Sequence, residues 1–79
     1  MSHWNYRIVK RLQGYYGLHE VFYDDDGLPW AMTMDPVDFI VDKDETPADL
    51  IRCMEMALHD AKTHEVLEEP EKWPGKDPG

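Results

Sequence analysis

The chain of 79 residues holds a single cysteine, Cys53. An internal disulfide is therefore excluded, and the histidines supply no zinc-finger spacing around that thiol. Long apolar runs are missing as well, since none approaches the ~20 residues that a membrane span needs. Met1-Ser2-His3-Trp4 lacks the charged-then-apolar pattern of a secretory leader, so a cytoplasmic setting without membrane contact is expected. Cations are scarce: eight Lys and Arg are scattered along the chain, which argues against direct nucleic-acid binding. Glycine-rich phosphate loops, G-x-S-x-G and Cys-x-x-Cys are all absent. These absences predict a chain that is not an enzyme and carries no cofactor or metal.

What is abundant is acid. The net charge is −9, and residues 20–49 alone hold ten acids against Lys43, a balance equal to that of the whole chain. Residues 1–19 carry Arg7, Lys10 and Arg11 and no acid. Loop acids keep a small protein soluble, and the same acids can meet a basic partner.

The pattern predicts an α+β domain: a three-stranded antiparallel sheet, β-β-β, with one C-terminal helix packed on one face. Residues 4–12 alternate at period two and are rich in β-branched and aromatic types, as a strand should be. Gln13-Gly14 interrupts, and Tyr15 to Tyr23 repeats the pattern as a hairpin partner. Asp24-Asp25-Asp26-Gly27 is a turn, with an Asp side chain bonding nearby N–H groups and Gly27 free to take positive φ. A third strand is expected from about Leu28 to Met34. Thr46-Pro47-Ala48-Asp49 supplies a cap, a proline at the first helical position and an acid in the first turn. Leu50, Ile51, Met54, Ala57, Leu58 and Ala61 then recur along one stripe, to a helix end near residues 62–64. The domain is expected over residues 1–67, and the charged, proline-punctuated stretch 68–79 as a mobile tail. A chain this short buries barely enough apolar area to fold alone, so a homodimer or a bound protein partner is expected.

A three-residue second turn closed by a glycine bulge would set Asp24 opposite Leu28 and Phe22 opposite Trp30, with Glu20 facing Met32. The even-numbered side chains, Tyr16, Leu18, Phe22, Trp30, Met32 and Met34, then form the core side. An odd-length first loop adds Trp4, Tyr6, Ile8 and Leu12 to it. The opposite face shows cations, a histidine and tyrosines, and Arg7, Arg11, His19 and Tyr23 are its candidate partner contacts. Glu20 falls among apolar neighbours, with Lys10 as its expected ion-pair partner.

At Tyr16-Gly17-Leu18-His19-Glu20-Val21-Phe22-Tyr23-Asp24-Asp25-Asp26-Gly27 the chain resembles a group of small, mostly uncharacterised bacterial proteins. These share a Y-x-I-H-E-V-Y-Y-D-x-D-G strand and turn. Asp35-Pro36-Val37, the capped segment from Thr46 to Leu58, and Val66-Leu67 extend the likeness over roughly residues 5–67; it implies no activity. In layout alone, hairpin, third strand and capped helix are similar to the HicB-type antitoxin module. That resemblance implies a toxin-binding, oligomerising unit rather than an enzyme.

Clustered chemistry is thin. Asp24-Asp25-Asp26-Gly27 lacks the alternate spacing and the later bidentate Glu of a calcium loop. Glu55 with His59, or His59 with His64, offers two metal ligands and no third. The residues thus favour a non-enzymatic protein-interaction module, self-associating or binding another protein. The alternative is an acidic inhibitor that mimics nucleic acid and blocks a basic protein through Asp24, Asp25, Asp26, Asp38, Asp42 and Asp44.

Overall fold

The structure is a computed structural model and describes residues 3–73. Four strands and one helix follow in the order β1 (His3–Lys10), β2 (Tyr16–Tyr23), β3 (Pro29–Met32), α1 (Pro47–Thr63) and β4 (Leu67–Glu68). They form one curled mixed sheet in the order β3-β2-β1-β4. The α+β class with a single helix agrees with the sequence pattern. The sheet differs from it by a fourth strand, which runs parallel to β1 through Val9↔Leu67 and Lys10↔Glu68.

Both hairpins close through three-residue loops with a glycine at positive φ. Arg11 N–H donates to Tyr15 O at 2.8 Å around Gly14 (φ 103°), and Asp24 N–H donates to Leu28 O at 2.9 Å around Gly27 (φ 80°). A glycine is needed at each because only it takes that backbone without a Cβ clash. The odd first loop sets Trp4 opposite Phe22, Tyr6 opposite Glu20 and Ile8 opposite Leu18, so even positions of both strands share a face.

The expected pairing of β2 with β3 holds at the turn and fails one step later. Tyr23 faces Pro29, but Phe22 faces Ala31 and Val21 faces Met32, because the ladder shifts between Phe22 and Tyr23. A bulge of one residue moves the side chains beyond it to the other face. Met32 thereby leaves the even side and packs against Val9, Val21 and Tyr23. Met34, expected in the core, is 82% exposed.

The helix starts as its residues require. Thr46 Oγ1 accepts from Asp49 N–H, Asp49 Oδ2 accepts from Thr46 N–H at 2.9 Å, and Pro47 opens the first turn. This reciprocal box holds the Asp49 carboxyl below its ordinary range, chiefly through the Thr46 backbone N–H. At the other end His64 N–H returns to Asp60 O at 3.1 Å. The helix lies along β1 rather than across the middle of the sheet. Asp60 Oδ2 accepts the Tyr6 N–H (3.2 Å) on the strand edge not used by β2, and His64 Nε2 accepts from Asn5 Nδ2 at 2.9 Å.

The fully buried side chains fall on the odd face. Val9, Val21 and His19 are 0% exposed and Tyr23 is 6% exposed, whereas Leu18, Phe22 and Trp30 on the expected core side stay half-buried. Sequence alternation located the helix on the even face correctly, but it assigned the closed core to the wrong side. The reason is the curl: Met32 from one edge strand and Leu67 from the other close over Val9 and Val21. The expected tail also begins later than residue 68. Glu69 N–H donates to Lys10 O at 2.9 Å, and its carboxylate binds Arg11 and Leu12 N–H, so the segment after β4 is part of the fold. Residues 74–79 of the expected tail lie outside the described residues.

Candidate functional site

The candidate contacts Arg7, Arg11, His19 and Tyr23 do come together, but inward. Tyr23 Oη donates to Asn5 Oδ1 at 2.9 Å and accepts from Arg7 Nη1 at 3.2 Å. Its ring stacks on His3, with centroids 4.9 Å apart. Arg7 Nε donates to Glu65 O at 2.7 Å, tying β1 to the segment after the helix. Arg11 has several partners: Nε donates to Glu69 Oε1 (2.7 Å), Nη1 donates to Met34 O (3.0 Å), and the guanidinium lies 5.7 Å from the Tyr15 ring centroid. The Glu69 bond pushes the Arg11 pKa up, and the same pair holds Glu69 down.

His19 sits beneath this network. Its Nδ1 faces Thr33 O at 3.0 Å and its Nε2 faces Arg11 Nη1 at 3.4 Å. A carbonyl only accepts and a guanidinium only donates, so the proton resides on Nδ1 and Nε2 accepts. Gly17 is part of the fit, since a Cβ there would stand 3.0 Å from His19 Nε2 and 3.6 Å from Pro36 Cγ. Arg7 and Arg11 thus hold the strap 65–69 to the sheet, with Tyr23 and His19 as their partners on the odd face. His19 and Tyr23 are interior groups and present no surface to a partner.

The acidic candidates are divided. Asp24 Oδ1 accepts from Asp26 N–H (2.8 Å) and Leu28 N–H (3.0 Å), the turn role expected of it. Asp25 and Asp26 are exposed on the same turn, at the Tyr23 end of β2. Asp38, Asp42 and Asp44 are exposed on the connection that leaves the sheet at Val37, whose N–H donates to Leu18 O at 2.8 Å. Leu18 and Asp24 stand roughly 20 Å apart along the strand at its rise per residue. The six acids are thus carried by two segments, the β2–β3 turn and the connection to α1.

The even face carries a different feature. Because α1 follows β1, the neighbouring half of β2 is left open, and an apolar trough of about 340 Å³ lies between them. Ile8 and Leu18 form its floor; Met54, Ala57, Leu58 and Ala61 line it from the helix, and Phe39 from the connection. Ala57 is the one buried residue of the helix, while Ile51 (53%), Met54 (40%) and Leu58 (56%) remain exposed. The small alanines let the helix approach β1 closely, and the larger side chains of the stripe overhang the open side. The sequence pattern named these residues as core and missed that they stay uncovered. The available signal was the small size of Ala57 and Ala61 in the second half of the stripe.

Next to the trough, Tyr6 lies across from Glu20. Burial raises the Tyr6 pKa, and the charges of Glu20, Cys53 and Asp60 add to it, so the phenol is neutral at physiological pH. Glu20 does not meet Lys10, which pairs with Tyr16 further along the ladder. Its carboxylate is in no ion pair among the described residues. Among the same residues no group of three His, Cys, Asp or Glu side chains is placed to hold a metal, and no helix is long and apolar enough to cross a membrane. No protein family, curated protein or solved structure matches the chain.

Proposed function

We propose that this chain is a non-enzymatic protein-interaction module that docks its partner in the trough between α1 and β2. The observation that carries this reading is the uncovered apolar stripe: Met54 and Leu58 line the trough with Leu18 and Phe39 and, like Ile51 earlier on the same helix, stay about half exposed. Water around such a concave apolar strip is displaced favourably by a matching surface. Methionine and aromatic side chains are the types enriched at interface centres. The order of hairpin, third strand and capped helix, which resembles the HicB-type module, points the same way.

The test is comparative capture from the native host. Wild-type protein is set against Leu58→Ser, which trims the trough, and Gln13→Ser, which alters an exposed, uncharged position on the β1–β2 loop outside its lining. Loss of a specific co-captured protein, or of a self-associated species in light scattering, with Leu58→Ser alone supports docking there. Identical behaviour of all three proteins rejects it.

A further inference from the structure

We propose that the occupant of the trough is a basic amphipathic helix from another protein, with an apolar stripe flanked by Lys or Arg. This rests on the docking role of the trough and adds the chemistry of what docks.

The trough and its surroundings differ in kind. The lining is apolar, but the stretch 33–55, which supplies Phe39 and Met54 to it, holds seven acids against Lys43 and Arg52. Arg52 is already engaged, with Nη1 donating to Asp49 Oδ1 at 3.1 Å. Asp38 adjoins Phe39, and Glu55 follows Met54 on the solvent side of the helix; both are exposed. Two residues along β2 from Leu18, and on the same even face, Glu20 is half-buried and in no ion pair among the described residues. A half-desolvated carboxylate next to an apolar strip interacts strongly with an arriving Lys or Arg, because solvent screens it less than a fully exposed acid.

The shape favours a helix. Ile51, Met54 and Leu58 recur at i, i+3 and i+7 and form a ridge along about 10 Å of α1. A second helix packs beside such a ridge with side chains at matching spacing, its polar flanks reaching these acids. A second copy of this chain fits poorly, since each copy brings a net charge of −9 and the same acids.

The probe is a synthetic Leu/Lys peptide with Leu at i, i+3, i+4 and i+7 and Lys on its other face. Its controls are the same peptide with Gln for Lys, and a scramble that spreads Leu around the helix. Binding is followed by backbone amide shifts of the full-length protein. The Lys peptide is expected to shift Leu18, Phe39, Met54 and Leu58 and to bind about tenfold or more tightly than the Gln peptide, with that margin shrinking as salt rises. Glu20→Gln with Glu55→Gln should narrow the margin, and Leu58→Ser should weaken both ordered peptides. Leu58 is 56% exposed, so that variant keeps its fold. Equal binding of Lys and Gln peptides at the trough overturns the basic partner and leaves the docking role standing. Shifts at the trough caused by self-association, with no peptide effect, overturn it in favour of a second copy. Shifts scattered over the acidic surface, or equal binding of the scramble, overturn it as non-specific charge attraction. No trough response of any kind, together with unchanged capture by Leu58→Ser, removes both readings.

Discussion

Glu69 shows how much of this fold turns on single polar side chains. It accepts Arg11 Nε at 2.7 Å and Leu12 N–H at 2.9 Å, and these bonds hold its carboxyl below the ordinary carboxylate range. A folded-state pKa below the unfolded value means the contribution is complete above the unfolded value and disappears as pH falls through the folded one. Acidification from about pH 5 to about pH 3 should therefore loosen the strap. The readout is hydrogen exchange at the Glu69 amide, which donates to Lys10 O at 2.9 Å. It should accelerate relative to the β1–β2 amides, and Glu69→Gln should be fast at both pH values. Asp49, whose carboxyl is also held low, titrates in the same direction. It reports at the helix start, so site-resolved exchange separates the two; uniform acceleration across the sheet would contradict a local latch.

At the scale of elements, the helix start can be tested directly. Thr46→Ala removes the acceptor for Asp49 N–H and should cost about 0.5–1 kcal/mol in urea unfolding, with Thr46→Ser restoring most of it. A cost near zero would mean that Pro47 and Asp49 set the start unaided. The start was legible in the sequence because Thr46-Pro47-Ala48-Asp49 carries three independent signals. The hairpins were legible for the same reason: each glycine sits where its loop needs positive φ. Trp30 was not, since a bulge arises from how β3 meets β2 and leaves no mark in the residue pattern. β4 is two residues long, too short for any alternation to register. The burial of His19 and the inward engagement of Arg7 were hidden for a related reason. Polar side chains read as exposed until their partners, Glu65 O and Thr33 O, are known from tertiary contacts. The trough was half legible: its strand and helix residues were named, but the part played by Phe39 and the openness depend on where the connection and the helix lie across the sheet.

For the molecule as a whole, stability and binding are linked. The core of the described residues is small, with Val9, Val21, Tyr23 and Ala57 as its buried hydrophobic members. A partner that fills the trough adds burial that the isolated chain lacks. A bound peptide at about a hundred times its Kd contributes roughly 2.7 kcal/mol, which in a domain this size raises Tm by on the order of 10 °C. Differential scanning fluorimetry with the Lys and Gln peptides measures this, and a Tm unmoved by a peptide shown to bind would place the contact outside the cooperative unit. The parallel pairing of Val9 with Leu67 has a consequence for synthesis. On the ribosome, both hairpins can close from local contacts as soon as they emerge. The outer margin of β1 near Val9, however, waits until Leu67, nearly sixty residues later, has been translated. Until then Arg11 has no Glu69, and the nascent sheet presents an open strand to whatever chaperone or neighbour arrives first.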